Sequence, residues 1–273
     1  MCKCLSTDPN NNKPHARGLP DALYECYDDL DNKTNKESVC LGCIRQVIIS
    51  PTNSTVAVAD GVGGWESKGI NPRAFADEML TKTYFVMKNG TLDPKMGIKA
   101  SFSQLSQVGS ATFCMGKLDN EGIFRVANIG DSGFIIIRDG MILLKSAEHQ
   151  HQFNYPYQLG IGEDGLPHGT DRPQDAEVYQ LKLEVGDVVV MGSDGLLDNL
   201  WPKEILNYVD KHPPNPMKLA EGLARHAYEI SQDEDVNVPF FHRAKQEGVE
   251  YASYQGGKED DITVVISVVA EAE

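Results

Sequence analysis

The chain has 273 residues, 41% of them hydrophobic, and its 40 acidic against 25 basic side chains give a formal charge of -15. That length and apolar content suit one domain with a substantial core, and the sign of the charge argues against a basic groove for nucleic acid or an anionic membrane surface. No stretch reaches the roughly 18 apolar residues of a membrane span, no secretory signal is present, and six cysteines are too sparse for a disulfide scaffold, so a soluble intracellular protein with free thiols is expected.

Residues 1–37 are rich in Asn, Asp, Lys and Pro without an apolar period and read as a flexible N-terminal segment, with the folded domain over 38–273. Cys40-Leu-Gly-Cys43 lacks the second ligand pair of a zinc site, and Met1-Cys2-Lys-Cys4 lacks the glycine of a myristoylation signal. Val39 to Ser50 and Thr55 to Asp60 are β-rich runs joined by the turn residues Pro51-Thr-Asn-Ser54, which predicts a hairpin with Asp60 at a buried strand end. Asn71-Pro72 and Asp93-Pro94 are helix starts, for helices to about Lys88 and about Gln107.

Strands are predicted at 110–118, 123–128, 133–138 and 141–145, as an antiparallel meander whose last connection, Asp139-Gly140, has type I′ hairpin chemistry. A long Pro- and Gly-containing segment, 146–174, follows, then strands near 177–183 and 187–192 and helices near 202–211 and 216–231, the latter opened by Asn215-Pro216. The stretch 232–258 reads as a short helix and loop. Ile262 to Val269 is apolar throughout, as in a strand covered on both faces. Helices grouped instead of alternating with strands indicate an α+β layered sandwich.

Four acidic motifs adjoin these strands: Asp60-Gly-Val-Gly-Gly, Gly130-Asp131-Ser132, Ser193-Asp194-Gly-Leu-Leu-Asp198 and Asp260-Asp261-Ile-Thr. Asp-Gly is first a turn dipeptide, and Asp139-Gly140 and Asp164-Gly165 need no further role. Asp60 and Asp194 differ because each ends an apolar run and is followed by a loop or helix start, where a carboxylate is a site candidate. Asp194 and Asp198, four apart, share one face of a helical turn, although Asp194 alone would also serve as a helix cap. Asp260 and Asp261 face opposite ways on a strand, so one of them reaches a given site. Together these carboxylates suit Mg²⁺ or Mn²⁺, which take hard oxygen ligands, whereas zinc would call for His or Cys. The histidines, among them His149, His151, His168 and His242, fall outside any hydrolase or nucleotide-binding motif and receive no role.

In order and spelling, Ala59-Asp-Gly-Val-Gly-Gly-Trp65, Ala127-Asn-Ile-Gly-Asp-Ser-Gly133, Gln152-Phe-Asn-Tyr-Pro-Tyr-Gln-Leu159, Ser193-Asp-Gly-Leu-Leu-Asp-Asn199 and Gly257-Lys-Glu-Asp-Asp-Ile-Thr-Val264 resemble the metal-dependent protein phosphatases of type 2C, in particular the branch that is mitochondrial in fungi and animals. The resemblance covers 38–273. It implies a four-layer α-β-β-α sandwich, two antiparallel sheets flanked by helices, with two Mg²⁺ or Mn²⁺ ions at one end. It also implies that Asp60 bridges both ions, the Gly61 carbonyl binds one, and Asp194 and Asp260 hold the other, with Asp131 and Asp198 matching ligands of a third. Asp60, Asp194 and Asp260 would then be catalytic, and the activity hydrolysis of phosphoserine and phosphothreonine on proteins by a bridging metal-bound water.

Three positions depart from the family. Val62 stands where many members have a histidine acid, Glu37-Ser38 keeps one carboxylate of an acidic pair, so that Glu37 is the remaining candidate there, and the upstream phosphate-binding arginine has no clear match. These departures motivate a second reading, a catalytically weak phosphoprotein-binding module that retains the metal cage and uses the surface around Trp65 and the 146–174 segment to hold a partner. The expected partner is a phosphoprotein substrate, not nucleic acid, acted on by a monomer whose compartment, cytoplasmic or mitochondrial, the sequence leaves open.

Overall fold

The computed structural model describes residues 22–25, 45–50, 54–88, 90, 93–249 and 253–270. Most of the flexible segment expected over 1–37, Glu37, and Cys2, Cys4, Cys26, Cys40 and Cys43 lie outside them. Part of that segment, β1 (Ala22–Glu25), pairs as an edge strand with β2 (Arg45–Ser50).

One sheet runs β1-β2-β3-β4-β5-β11, with β3 (Thr55–Gly61), β4 (Gly109–Leu118), β5 (Ile123–Ile129) and β11 (Glu177–Lys182), and short β10 (Leu159–Ile161) also pairs with β4. The second runs β13-β12-β6-β7, with β6 (Gly133–Arg138), β7 (Met141–Lys145), β12 (Val188–Gly192) and β13 (Val264–Val268). All pairings are antiparallel. A small hairpin, β8 (Gln150–Gln152) with β9 (Tyr155–Pro156), stands apart within the long Pro- and Gly-containing segment 146–174.

The period-2 alternation of the strands divides the core into three apolar layers. Val56 and Val58 of β3 meet Phe134 and Ile136 of β6 and Val189 and Met191 of β12 between the sheets. Their neighbours Ala57 and Ala59 point outward onto Phe75, Met79 and Leu80 of α1 (Pro72–Lys88) and Ile98 of α2 (Pro94–Phe102). On the far side Ile135, Val190 and Ile266 pack under Ile205 of α4 (Pro202–Lys211) and Leu219 and Leu223 of α5 (Pro216–Ser231). The result is a four-layer α-β-β-α sandwich. The single turn α3 (Asp194–Leu197) and α6 (Pro239–Glu247) complete the helices named here.

The Pro-based starts behave as their chemistry predicts: Asp93 accepts the Met96 amide at 2.8 Å and Asn215 that of Lys218 at 3.0 Å. Helix α2 ends at Phe102, earlier than expected, where Ser103 Oγ turns back onto the Ala100 carbonyl. Asp139 and Gly140 both have positive φ, 48° and 69°, as a type I′ turn requires.

The meander is the expectation that fails. β5 does not pair with β6; the chain leaves one sheet at Ile129 and enters the other at Gly133. Gly130 makes the crossing possible: its φ is +105°, and a Cβ there would lie 2.6 Å from the Thr112 side chain and 2.7 Å from the Tyr157 carbonyl. Asp131 is thereby carried to the seam between the two sheets.

Candidate functional site

Antiparallel pairing brings the acidic motifs to one end of the sandwich. β3 and β12 finish there, β13 begins there, and the β5–β6 crossing lies between. Asp60 is 8% exposed and opposite Thr112 in the β3–β4 register, and the Thr112 hydroxyl meets Ser132 Oγ at 2.8 Å, beside Asp131. Gly61 is required by packing, since a Cβ on it would fall 2.7 Å from the Pro72 carbonyl oxygen at the start of α1; Gly63 and Gly64 have no atom near theirs.

Ser193, not Asp194, is the N-cap residue of α3, so the capping role does not account for Asp194. Asp194 Oδ1 instead accepts the Gly195 amide at 2.8 Å, turning its other oxygen toward the site. There the Lys258 ammonium lies 2.8 Å from Asp194 Oδ2, 2.6 Å from Asp198 Oδ2 and 2.9 Å from Asp260 Oδ2. Aspartates from two distant stretches of the chain thus converge on one positive charge. Lys258 is fixed by Asn199, which accepts the Lys258 amide and donates to its carbonyl, both at 2.8 Å.

Among the described residues carboxyl groups still outnumber cations. Arg243 of α6 bridges Asp198 at 2.6 Å and Glu148 at 2.8 Å, leaving Asp131 with no cation of its own among the described residues. Burial first, and then the charges of Asp194 and Asp198, hold the Asp131 carboxyl well above the usual carboxylate range. Burial likewise raises Glu148, against Arg243. Burial works against a charged Lys258, but Asp198, Asp194 and Asp260 outweigh it and hold the ammonium protonated well above its ordinary range.

Among the described residues no three His, Cys, Asp or Glu side chains form a ready metal cage, because the Lys258 ammonium stands at the meeting point of three of them. The chemistry of the donors nonetheless fits a divalent cation: the groups are hard oxygens, they already gather around a cation, and their negative charge exceeds what Lys258 and Arg243 offset. Of the residues singled out in the sequence, Asp194, Asp198, Asp260 and Asp131 form this cluster, and Asp60 and Gly61 lie at the same end of the fold. Glu37 is outside the described residues.

Sequence reasoning missed Lys258, Arg243 and Glu148. Lys258 meets Asp194 and Asp198, 64 and 60 residues away, and Arg243 meets Asp198, 45 residues away, whereas a lone lysine or arginine in a polar loop or helix reads as a solvated charge. The Trp65 ring itself is 6% exposed, with its indole NH donating to Ser110 Oγ at 2.7 Å, while its neighbours Gly64, Glu66 and Ser67 are exposed.

Residues 50–269 match the family model described as "Stage II sporulation protein E (SpoIIE)". The chain is 39% identical over 220 residues to the probable protein phosphatase 2C 62 of Arabidopsis thaliana, covering 78% of this chain but 29% of that protein, so it spans well under half of that relative's length. It is 34% identical over 253 residues to the protein phosphatase PTC7 homolog of Homo sapiens, covering 86% of this chain and 82% of that one. The X-ray structure of the photosystem II phosphatase PBCP is similar at a TM-score of 0.76 and 30% identity, covering 84% of this chain and 92% of that chain. The catalytic domain of the serine/threonine phosphatase PstP, crystallised with two manganese ions, shares the fold at a TM-score of 0.56 and 16% identity, covering 92% and 96%.

Proposed function

We propose, from the premise that this chain belongs to the type 2C protein phosphatases, that it hydrolyses phosphoserine and phosphothreonine esters on proteins with two bound Mg²⁺ or Mn²⁺ ions. The observation that carries the proposal is the convergence of Asp194, Asp198 and Asp260 on a single positive charge at the end of the sandwich where Asp60 and Asp131 also lie. Asp60, the Gly61 carbonyl, Asp194 and Asp260 would hold the two ions, Asp131 and Asp198 a third, and Glu37 belongs to the same proposed set. When bound, such ions supply Lewis-acid activation of water and neutralise charge on the phosphoryl oxygens.

The chain's own residues do the positioning. The Gly195 amide fixes one oxygen of Asp194 so that the other faces the site. Lys258 offsets repulsion among three carboxylates, so the cluster assembles as the protein folds. Arg243 holds Asp198 from the α6 side. The surplus of negative charge among the described residues disfavours acidic ligands that bring no cation with them and favours cations.

Purified protein is expected to release phosphate from a phosphothreonine peptide in Mn²⁺, to stop in EDTA, and to resume when Mn²⁺ is restored. Tight phosphopeptide binding without turnover at saturating Mn²⁺ would replace this reading with the non-catalytic binding module. Turnover indifferent to EDTA would contradict the metal mechanism. Among the described residues no helix is long and apolar enough to cross a membrane.

A further inference from the structure

Beside the Gly61 loop lies a polar cavity of about 340 Å³, walled by Ser110, Gln158, His151, Asp171 and His168. Ser110 joins it to the site. Its carbonyl accepts the Val62 amide at 2.9 Å, and it lies two residues before Thr112, the register partner of Asp60. The other link is β8, where Gln150 Nε2 reaches Asp131 Oδ2 at 3.4 Å and the next residue, His151, lines the cavity.

His151 is held as a working imidazole is held. Nε2 lies 2.8 Å from Asp171 Oδ1, while Asp171 Oδ2 accepts the Gln158 amide at 3.0 Å, so the carboxylate is itself fixed and 6% exposed. The Tyr157 ring stacks on His151 at 3.8 Å and carries His149 on it at 3.7 Å, which sets the plane of the imidazole. Nδ1 of His151 has no hydrogen-bond partner among the described residues, and the side chain is 30% exposed, so this nitrogen is open to a ligand and to proton exchange with water.

The reaction proposed above, on which this inference rests, needs a proton at the leaving oxygen. A serine or threonine alkoxide is a poor leaving group unless protonated as the ester bond breaks. Val62 cannot donate, Lys258 is shared among three aspartates, and both terminal nitrogens of Arg243 are paired. Burial lowers the basicity of His149, and His168 packs edge-on against Trp65 at 4.8 Å. His151 is the histidine lining this cavity that a carboxylate orients.

We propose that His151, oriented by Asp171, donates the proton to the leaving oxygen of the phosphoserine or phosphothreonine. As the bond from phosphorus to the side-chain oxygen breaks, its electron pair stays on that oxygen and takes the proton of imidazolium Nδ1. The attacking water gives phosphorus its new hydroxyl group and releases its other proton to solvent, from which the now neutral imidazole is recharged. Products are the free hydroxyl side chain and inorganic phosphate.

The test compares kcat/KM on a phosphothreonine peptide with that on p-nitrophenyl phosphate, whose phenolate leaves without protonation, for wild type and His151→Gln in Mn²⁺. The variant is expected to lose about 10²-fold or more on the peptide, at least tenfold beyond its loss on the aryl ester, with Asp171→Asn showing the same asymmetry to a smaller degree. Equal losses on both esters overturn the inference and leave the phosphatase reading intact. If neither variant folds, wild type decides through aryl phosphates of increasing leaving-group pKa: a shallow dependence of rate supports a proton donor, and a steep one overturns it. Wild-type protein inactive on every ester would sink the phosphatase reading and this inference together.

Discussion

Strands β6 and β12 carry clustered charge at both ends, and the two ends are built differently. Away from the site, Arg138 Nε and Nη2 grip the two oxygens of Asp187 at 2.7 Å each, Nη1 reaches Glu184 at 2.6 Å, and the Glu184 amide adds a bond to Asp187 at 2.8 Å. Asp187 is fully buried and fully satisfied. At the other end Asp131 is nearly as buried, yet it faces Asp194 and Asp198 with the shared Lys258 as the counter-charge acting on it. A closed ion pair fastens the sandwich. An acidic cluster in which, among the described residues, carboxyl groups outnumber cations strains the fold locally and attracts cations.

The comparison breaks most visibly in activity. Asp60→Asn removes a carboxylate from the open end, and kcat on a phosphothreonine peptide in Mn²⁺ should fall roughly 10³-fold, the several kcal/mol expected of lost metal-centred charge stabilisation, while thermal melting changes little. At the closed end Asp187→Ala should do the reverse, costing about 3 kcal/mol in urea unfolding, the lower end for breaking a buried pair, with Mn²⁺-dependent turnover kept below the melting temperature. A variant of Asp187 that lost activity without losing stability would erase the distinction between the ends.

Gly130→Ala sharpens it from the backbone side. An L-residue at φ +105°, against Thr112 and the Tyr157 carbonyl, should cost about 2 kcal/mol and displace Asp131, lowering activity as well as stability. The smallest effect concerns pH. The Asp131 carboxyl is raised in the folded state, so the stability it contributes is present below its unfolded value and is lost as pH rises through the folded one. Metal-free Asp131→Asn should therefore gain melting temperature over metal-free wild type as pH rises from 4 to 7. A constant difference across that range would contradict the strain assigned to Asp131.

Much of this was legible in the sequence because the signals are local. Asn71-Pro72, Asp93-Pro94 and Asn215-Pro216 start helices through short-range hydrogen bonds, and alternating apolar residues such as Val56 and Val58 declare a buried strand face. What the sequence hid is set by partners far along the chain. Gly130-Asp131-Ser132 looks like an ordinary turn between consecutive strands, and only the pairing of β6 with β12 turns it into a crossing between sheets. Lys258 is defined by Asp194 and Asp198, 64 and 60 residues away, and His151 by Asp171 and by Tyr157 stacking on its ring. The carboxylates were visible as motifs, whereas the cation that gathers them and the carboxylate that orients His151 were not.

The central claim is that Asp60, Asp194 and Asp260 share one cluster of divalent ions, and anomalous diffraction from crystals soaked in Mn²⁺ tests it most directly. The account predicts two manganese peaks among these carboxylates and the Gly61 carbonyl, with Lys258 displaced from its place between the aspartates. Crystals saturated with Mn²⁺ that show no peak there, with Lys258 still bound to Asp194, Asp198 and Asp260, would contradict it.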